Sequence, residues 1–263
     1  MKRFLLAATM YAMVANAASA APPPGLEEYR RAQGAFDALV KSSGAKGGMP
    51  RLSDPAAAPL LRVLSDVDGV LGDTPYGKDD LTDLMDVCGN NTPMTAYMMF
   101  GVNRKVTPNT TADDVTRVVT EATEKNMHRY QDELFPLMAF NIHCVARSIP
   151  ALTDFVASLP ESQMTQSRQH SLARSRLNAI SVYMGAMLIF RDQNIASRNR
   201  TIILDALADT ADVYAGMLQQ NQRQSIASLA EGLRSKVDAS LYAWLDRISS
   251  AMKRSDCEGL CRF

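Results

Sequence analysis

The sequence is short of the residues that carry most recognisable chemistry. It has three histidines, four cysteines and a single tryptophan in 263 residues, and aromatics make up only 6%. With 14 glycines and 12 prolines there is too little turn-forming material for a β sandwich or a collagenous chain. Charge of one sign is missing as well, since 28 basic side chains balance 28 acidic ones. That removes the electrostatic footprint of a nucleic-acid surface, and no nucleic-acid partner is expected. Beyond residue 20 charge interrupts every apolar stretch before it reaches the ~20 residues that cross a bilayer. There is no C-x-x-C, no C-x-x-C-H and no G-x-S-x-G, so thioredoxin-like, covalent-haem and hydrolase-elbow signatures are all absent. No repeat of fixed period and no strand pattern is visible.

What is present is a hydrophobic share of 46%, enough for a compact fold. The first twenty residues stand apart from it. Lys2 and Arg3 precede an apolar stretch from Phe4 to Val14 and a small-residue site, Ala18-Ser19-Ala20. This is the layout of a secretory signal peptide cleaved near Ala20-Ala21, and it predicts a periplasmic or secreted protein with no membrane span after removal of the signal. Export gives Cys88, Cys144, Cys257 and Cys261 a meaning: in an oxidising compartment an even set is expected to form disulfides, with three possible pairings.

The hydrophobic period is helical almost throughout. A helix is expected from Leu26 to Val40, then a connector, then helices opened by Asp54-Pro55, by Asp79 or Asp80, and by Thr92-Pro93. Four long helices follow. The first starts at Thr110 or Thr111 and is kinked at Pro136, with a short turn around Leu152 to Leu159 after it. The second uses Met164, Leu172, Leu177, Ile180, Met184, Met187 and Leu188. The third runs from Ile203 to Leu218. The run QQNQRQS from Gln219 turns the chain into the last, whose seam passes through Ile226, Ala230, Leu233, Val237, Leu241, Trp244 and Ile248. The fold class is therefore all-α, an antiparallel bundle of about four long helices with a smaller N-terminal helical subregion. Residues 21–53 form an N-terminal helix and flexible connector, and 54–263 a single domain. Within it, 54–107 hold short acidic helices, 108–256 the bundle, and 257–263 a Cys-containing tail.

Few residue sets suggest chemistry. The stretch D-V-D-G-V-L-G-D from Asp66 to Asp73 resembles the first motif of haloacid dehalogenase-like phosphatases. The resemblance implies Asp66 as nucleophile, Asp68 as general acid and Mg²⁺ as cofactor, with the motif leaving a buried β-strand. Helical spacing before Asp66 and the helical chain downstream point away from that sheet. Glu124, His128 and Asp132 fall at four-residue steps, as metal ligands or as a solvated stripe, and the latter fits better. Met94, Met98 and Met99 offer soft thioethers suited to Cu(I), against the simpler role of core filling. Arg168, Arg174, Arg176, Arg191, Arg198 and Arg200 gather on two consecutive helices. They suit an anionic ligand or, preferably, pairing with the eight aspartates of the segment Asp54 to Asp86. No catalytic set converges and no cofactor is expected. The reading is an exported, disulfide-stabilised binding protein for a protein partner or small ligand, with a phosphatase and a copper-handling protein as alternatives.

Overall fold

The computed structural model describes residues 23–45, 47–73, 75–89, 92–102, 110–254, 256–257 and 259–263. The signal segment 1–20 lies outside them. Among the described residues every regular element is a helix, so the all-α class holds.

Helix α1 (Leu26–Ala45) begins where expected but continues through Ser42-Ser43-Gly44. It buries Leu26, Tyr29, Ala32 and Phe36 in the main core, and Tyr29 stacks on Phe140 at 5.4 Å between ring centroids. The connector after it is anchored: Met49 is buried, and the carbonyl of Pro50 accepts the Tyr97 hydroxyl at 2.9 Å. Asp54-Pro55 does not open the next helix. The Asp54 carboxylate accepts from the Arg51 amide at 2.7 Å and closes a turn. Helix α2 (Ala58–Leu64) starts later, with Pro59 rather than Pro55 in its first turn. Asp66 then caps a five-residue helix, α3 (Val67–Leu71), by accepting from the Gly69 amide at 2.9 Å. Helix α4 (Leu81–Cys88) and α5 (Thr92–Met98) complete the subregion.

Helix α6 (Ala112–Arg129) has the expected Thr111 cap, with the threonine hydroxyl accepting from the Asp114 amide. The chain breaks after it at Tyr130, about a turn and a half before Pro136. Helix α7 (Gln131–Ala157) then absorbs both Pro136 and Pro150 without ending, so the turn expected from Leu152 is helix instead. It is buried on every side, through Leu134, Phe135, Leu137, Phe140, Ile142, Cys144 and Ile149. It is the central helix of the bundle, and α2 to α6, α9 and α10 all pack on it.

Helix α8 (Gln166–Leu188) turns a different face inward from the one its leucines suggest. Leu172, Arg176, Ala179, Ile180, Tyr183 and Met187 are buried, whereas Leu177 and Leu188 are exposed at 50% and 46%. The expected third helix is two, α9 (Ser197–Asp209) and α10 (Ala211–Met217). They separate at Thr210, whose hydroxyl bonds back to the Ala206 carbonyl at 2.7 Å, a contact that bends helices. The turn at Gln219 is present. The last helix is also split: α11 (Gln220–Leu233) and α12 (Tyr242–Arg254) form an antiparallel hairpin across an extended Val237-Asp238 step. Long α7 and α8 thus combine with these shorter pairs around the main core, while α6 buries Val118 and Ala122 in a separate cluster with Val102.

The disulfides are Cys88–Cys144, with Cα atoms 5.2 Å apart, and Cys257–Cys261, at 5.7 Å. The first ties α4 to α7. The second closes the C-terminal 3₁₀ turn Gly259–Arg262, which packs on α7, α8 and α10.

Candidate functional site

Helical spacing brings five elements together around a cavity of about 210 Å³. Helix α4 gives Leu81, Met85 and Cys88, at steps of four and three. Helix α7 gives Asn141, Val145, Ser148, Ile149 and Leu152, again one face. Helix α8 adds Ser175, Arg176, Asn178, Ala179 and Val182, while Met217 of α10 and Leu260 of the C-terminal turn complete the wall. The two disulfides frame it. Cys88 is itself a wall residue, and the short Cys257–Cys261 loop holds Leu260, which is 3% exposed.

The turn that seats Leu260 is intolerant of change. Gly259 has φ of +65°, and a Cβ there would lie 2.5 Å from Cγ2 of Thr153. Gly259→Ala is therefore expected to displace Leu260 and to lower the melting temperature by a few degrees, about 1–3 kcal/mol for a strained backbone position. Thermal unfolding followed by circular dichroism checks this; an unchanged melt contradicts the placement of the tail.

Arg176 is the exceptional residue of the wall. It is only 5% exposed, and burial pushes its pKa down. One Nη donates to Oε1 of Gln222 at 2.5 Å. Gln222 is held in turn by the Gln219 amide, which donates to the same oxygen at 3.0 Å. The buried Nε of Arg176 has no acceptor, and among the described residues no carboxylate pairs with the guanidinium or lines the cavity. Buried charge without a partner costs several kcal/mol. The hydroxyls of Ser148 and Ser175 are committed to Cys144 and Ser171 carbonyls of their own helices, at 2.9 and 3.0 Å. The arrangement is a largely apolar chamber with one uncompensated cation and the amides of Asn141 and Asn178 in its wall.

No family model, curated protein or solved structure matches this chain. The site must therefore be read from its own residues.

The structure disperses the other sets that the sequence suggests. Asp66 is a helix cap, and α2 stands where the phosphatase motif requires a strand. Asp73 is 98% exposed, 4.0 Å from Arg147. Met94 and Met98 pack against the main core, whereas Met99 packs against a separate cluster of Val102, Val118 and Ala122. The Glu124 stripe is interrupted by the break at Tyr130. His128 pairs with Asp192, and Asp132 accepts from Asn199 and pairs with Arg198 at 2.6 Å. Among the described residues no group of three or more His, Cys, Asp and Glu is placed to hold a metal. Among the described residues the preferred pairing of the arginine set with the acidic segment is not found. Asp86 pairs with Arg30 instead, and Arg198 with Asp132. Of the set, Arg176 alone lines the cavity.

Two titrations carry a pH prediction. Burial beside α9 lowers the His143 pKa from 6.5, outweighing the opposing pull of Asp209, Asp205 and Asp68. The Asp192 carboxyl is lowered from 3.8, first by its bond from His128. In both cases the unfolded chain binds the proton at higher pH than the folded chain, so stability falls on acidification. The His143 contribution is complete above 6.5 and is lost as pH falls through its folded value; that of Asp192 is lost below 3.8. Melting temperatures should drop between about pH 7 and pH 5, and His143→Gln should flatten that drop. A wild-type profile flat over this range refutes the assignment.

Proposed function

We propose that this is an exported, disulfide-stabilised binding protein that holds a small ligand in the Arg176 cavity. The observation that carries the reading is the buried guanidinium of Arg176, which has one side-chain acceptor and no counter-ion, in a wall that is aliphatic apart from two asparagines and two serines; an anionic ligand would supply the missing charge. The disulfides support it by fitting an oxidising compartment and by framing the chamber. The signal-like residues 1–20 support export. No helix among the described residues is long and apolar enough to cross a membrane.

Native mass spectrometry of protein recovered gently from the exporting cell's periplasm or medium tests this. The expected species starts at Ala21, lacks the four hydrogens of two disulfides, and carries a small adduct that mild activation removes. A chain that retains residues 1–20 and bears no small molecule overturns the reading. A protein partner is the second reading, favoured by Leu177 and Leu188, which lie eleven residues apart on the exposed face of α8. In the same spectrum it predicts a protein-sized complex.

A further inference from the structure

We infer that the occupant of the Arg176 cavity is a monocarboxylate with a short, unbranched aliphatic tail, an inference that rests on the ligand-binding reading above. Charge sets the head group. The wall offers one guanidinium and no second cation, so it neutralises a single negative charge. A phosphate group, at close to two charges near neutral pH, would leave an excess buried anion. A carboxylate matches the planar fork of arginine. Here Gln222 occupies one Nη and the unpaired Nε is sealed from solvent, so the second Nη is the donor left for a ligand.

Shape and polarity set the tail. The chamber of about 210 Å³ takes roughly seven water-sized groups at ~30 Å³ each and is open on one side, so the carbons of a six-carbon chain fit it. Away from Arg176 its surface is mostly aliphatic and thioether, with Met85, Val145, Ile149 and Leu260 outweighing the amides of Asn141 and Asn178. A six-carbon acid satisfies both limits. Gln222 is a positioning residue: it touches Arg176, not the cavity, and fixes the direction of the fork through the turn that opens α11.

The test titrates the oxidised chain from Ala21 to Phe263 with sodium hexanoate, 1-hexanol, hexylamine and inorganic phosphate, by isothermal calorimetry at neutral pH. Hexanoate should bind at least about tenfold more tightly than hexanol, the worth of one charge-assisted hydrogen bond. Hexylamine and phosphate should not bind. Arg176→Met should abolish the preference for the acid while still admitting hexanol. Arg176→Lys, which keeps the charge and loses the fork, should bind hexanoate with intermediate affinity and guards against misfolding of the first variant. Equal affinity of the wild type for hexanoate and hexanol overturns the carboxylate inference and leaves the cavity reading standing. Tight phosphate binding overturns it too. Failure of both six-carbon probes to bind overturns the cavity reading with it.

Discussion

Arg176→Met is expected to make the unliganded protein more stable. The wild-type guanidinium is buried with one protein acceptor and no counter-ion, and it is held there at a desolvation cost of several kcal/mol. Methionine removes that cost and adds apolar contact to a wall that is largely apolar. Against this stands the loss of a charged hydrogen bond, worth about 1.5–3 kcal/mol. Gln222 itself is not orphaned, because it keeps the Gln219 amide. The net gain should be about 1–2 kcal/mol, or roughly 3–6 °C in melting temperature for a chain of this size. A gain in stability with a loss of ligand affinity marks a residue retained for function. If the variant instead melts several degrees lower, Arg176 is a structural residue and the cavity lacks its anchor.

Removing the longer disulfide should have the opposite sign and a larger size. Cys88 and Cys144 are separated by 56 residues, and the chain-entropy relation gives about 4 kcal/mol for a loop of that length. The double variant Cys88→Ala/Cys144→Ala should melt roughly 8–16 °C lower. It should also bind hexanoate weakly, because α4 contributes Leu81, Met85 and Cys88 to the chamber and its tie to α7 is gone. Wild type in reductant should melt at least as low as the variant, because reductant also opens Cys257–Cys261. A shift of only a degree or two would mean that α4 is held on α7 by packing alone.

The sequence showed the helices better than their breaks. The starts at Thr111 and Thr92 and the turn at Gln219 each have a capping or breaking residue that names them. The split at Val237-Asp238 has no such sign. Its two halves bury one stripe, Ile226, Ala230 and Leu233 before it and Leu241, Leu245 and Ile248 after it, so the period runs on through the turn. Tertiary burial likewise decided for Tyr130 over Pro136 as the break between α6 and α7. Tyr130 is fully buried and packs edge-on and tilted against Phe100 and Tyr97.

The candidate site was legible only in fragments. Arg176 stood in a set of six arginines, and nothing local distinguished it from its neighbours. Helix α8 has apolar residues on both sides, so its leucines pointed to a buried face through Leu177, whereas the fold buries the adjacent Arg176. The wall draws on residues from Leu81 to Leu260, and only the disulfides and the packing of α4 and the tail on α7 bring them together. The Asp66 motif shows the converse. Its spacing was conspicuous, and capping a five-residue helix accounts for it.

The most direct test of the account is the melting temperature of the wild type and of Arg176→Met as a function of hexanoate concentration. A ligand that binds only the folded state stabilises it by about 2.7 kcal/mol at a hundred times its dissociation constant. The wild-type midpoint should therefore climb by roughly 5–10 °C, while the variant starts higher and stays level. A wild-type midpoint that does not move, or a variant that climbs in parallel with it, contradicts the account.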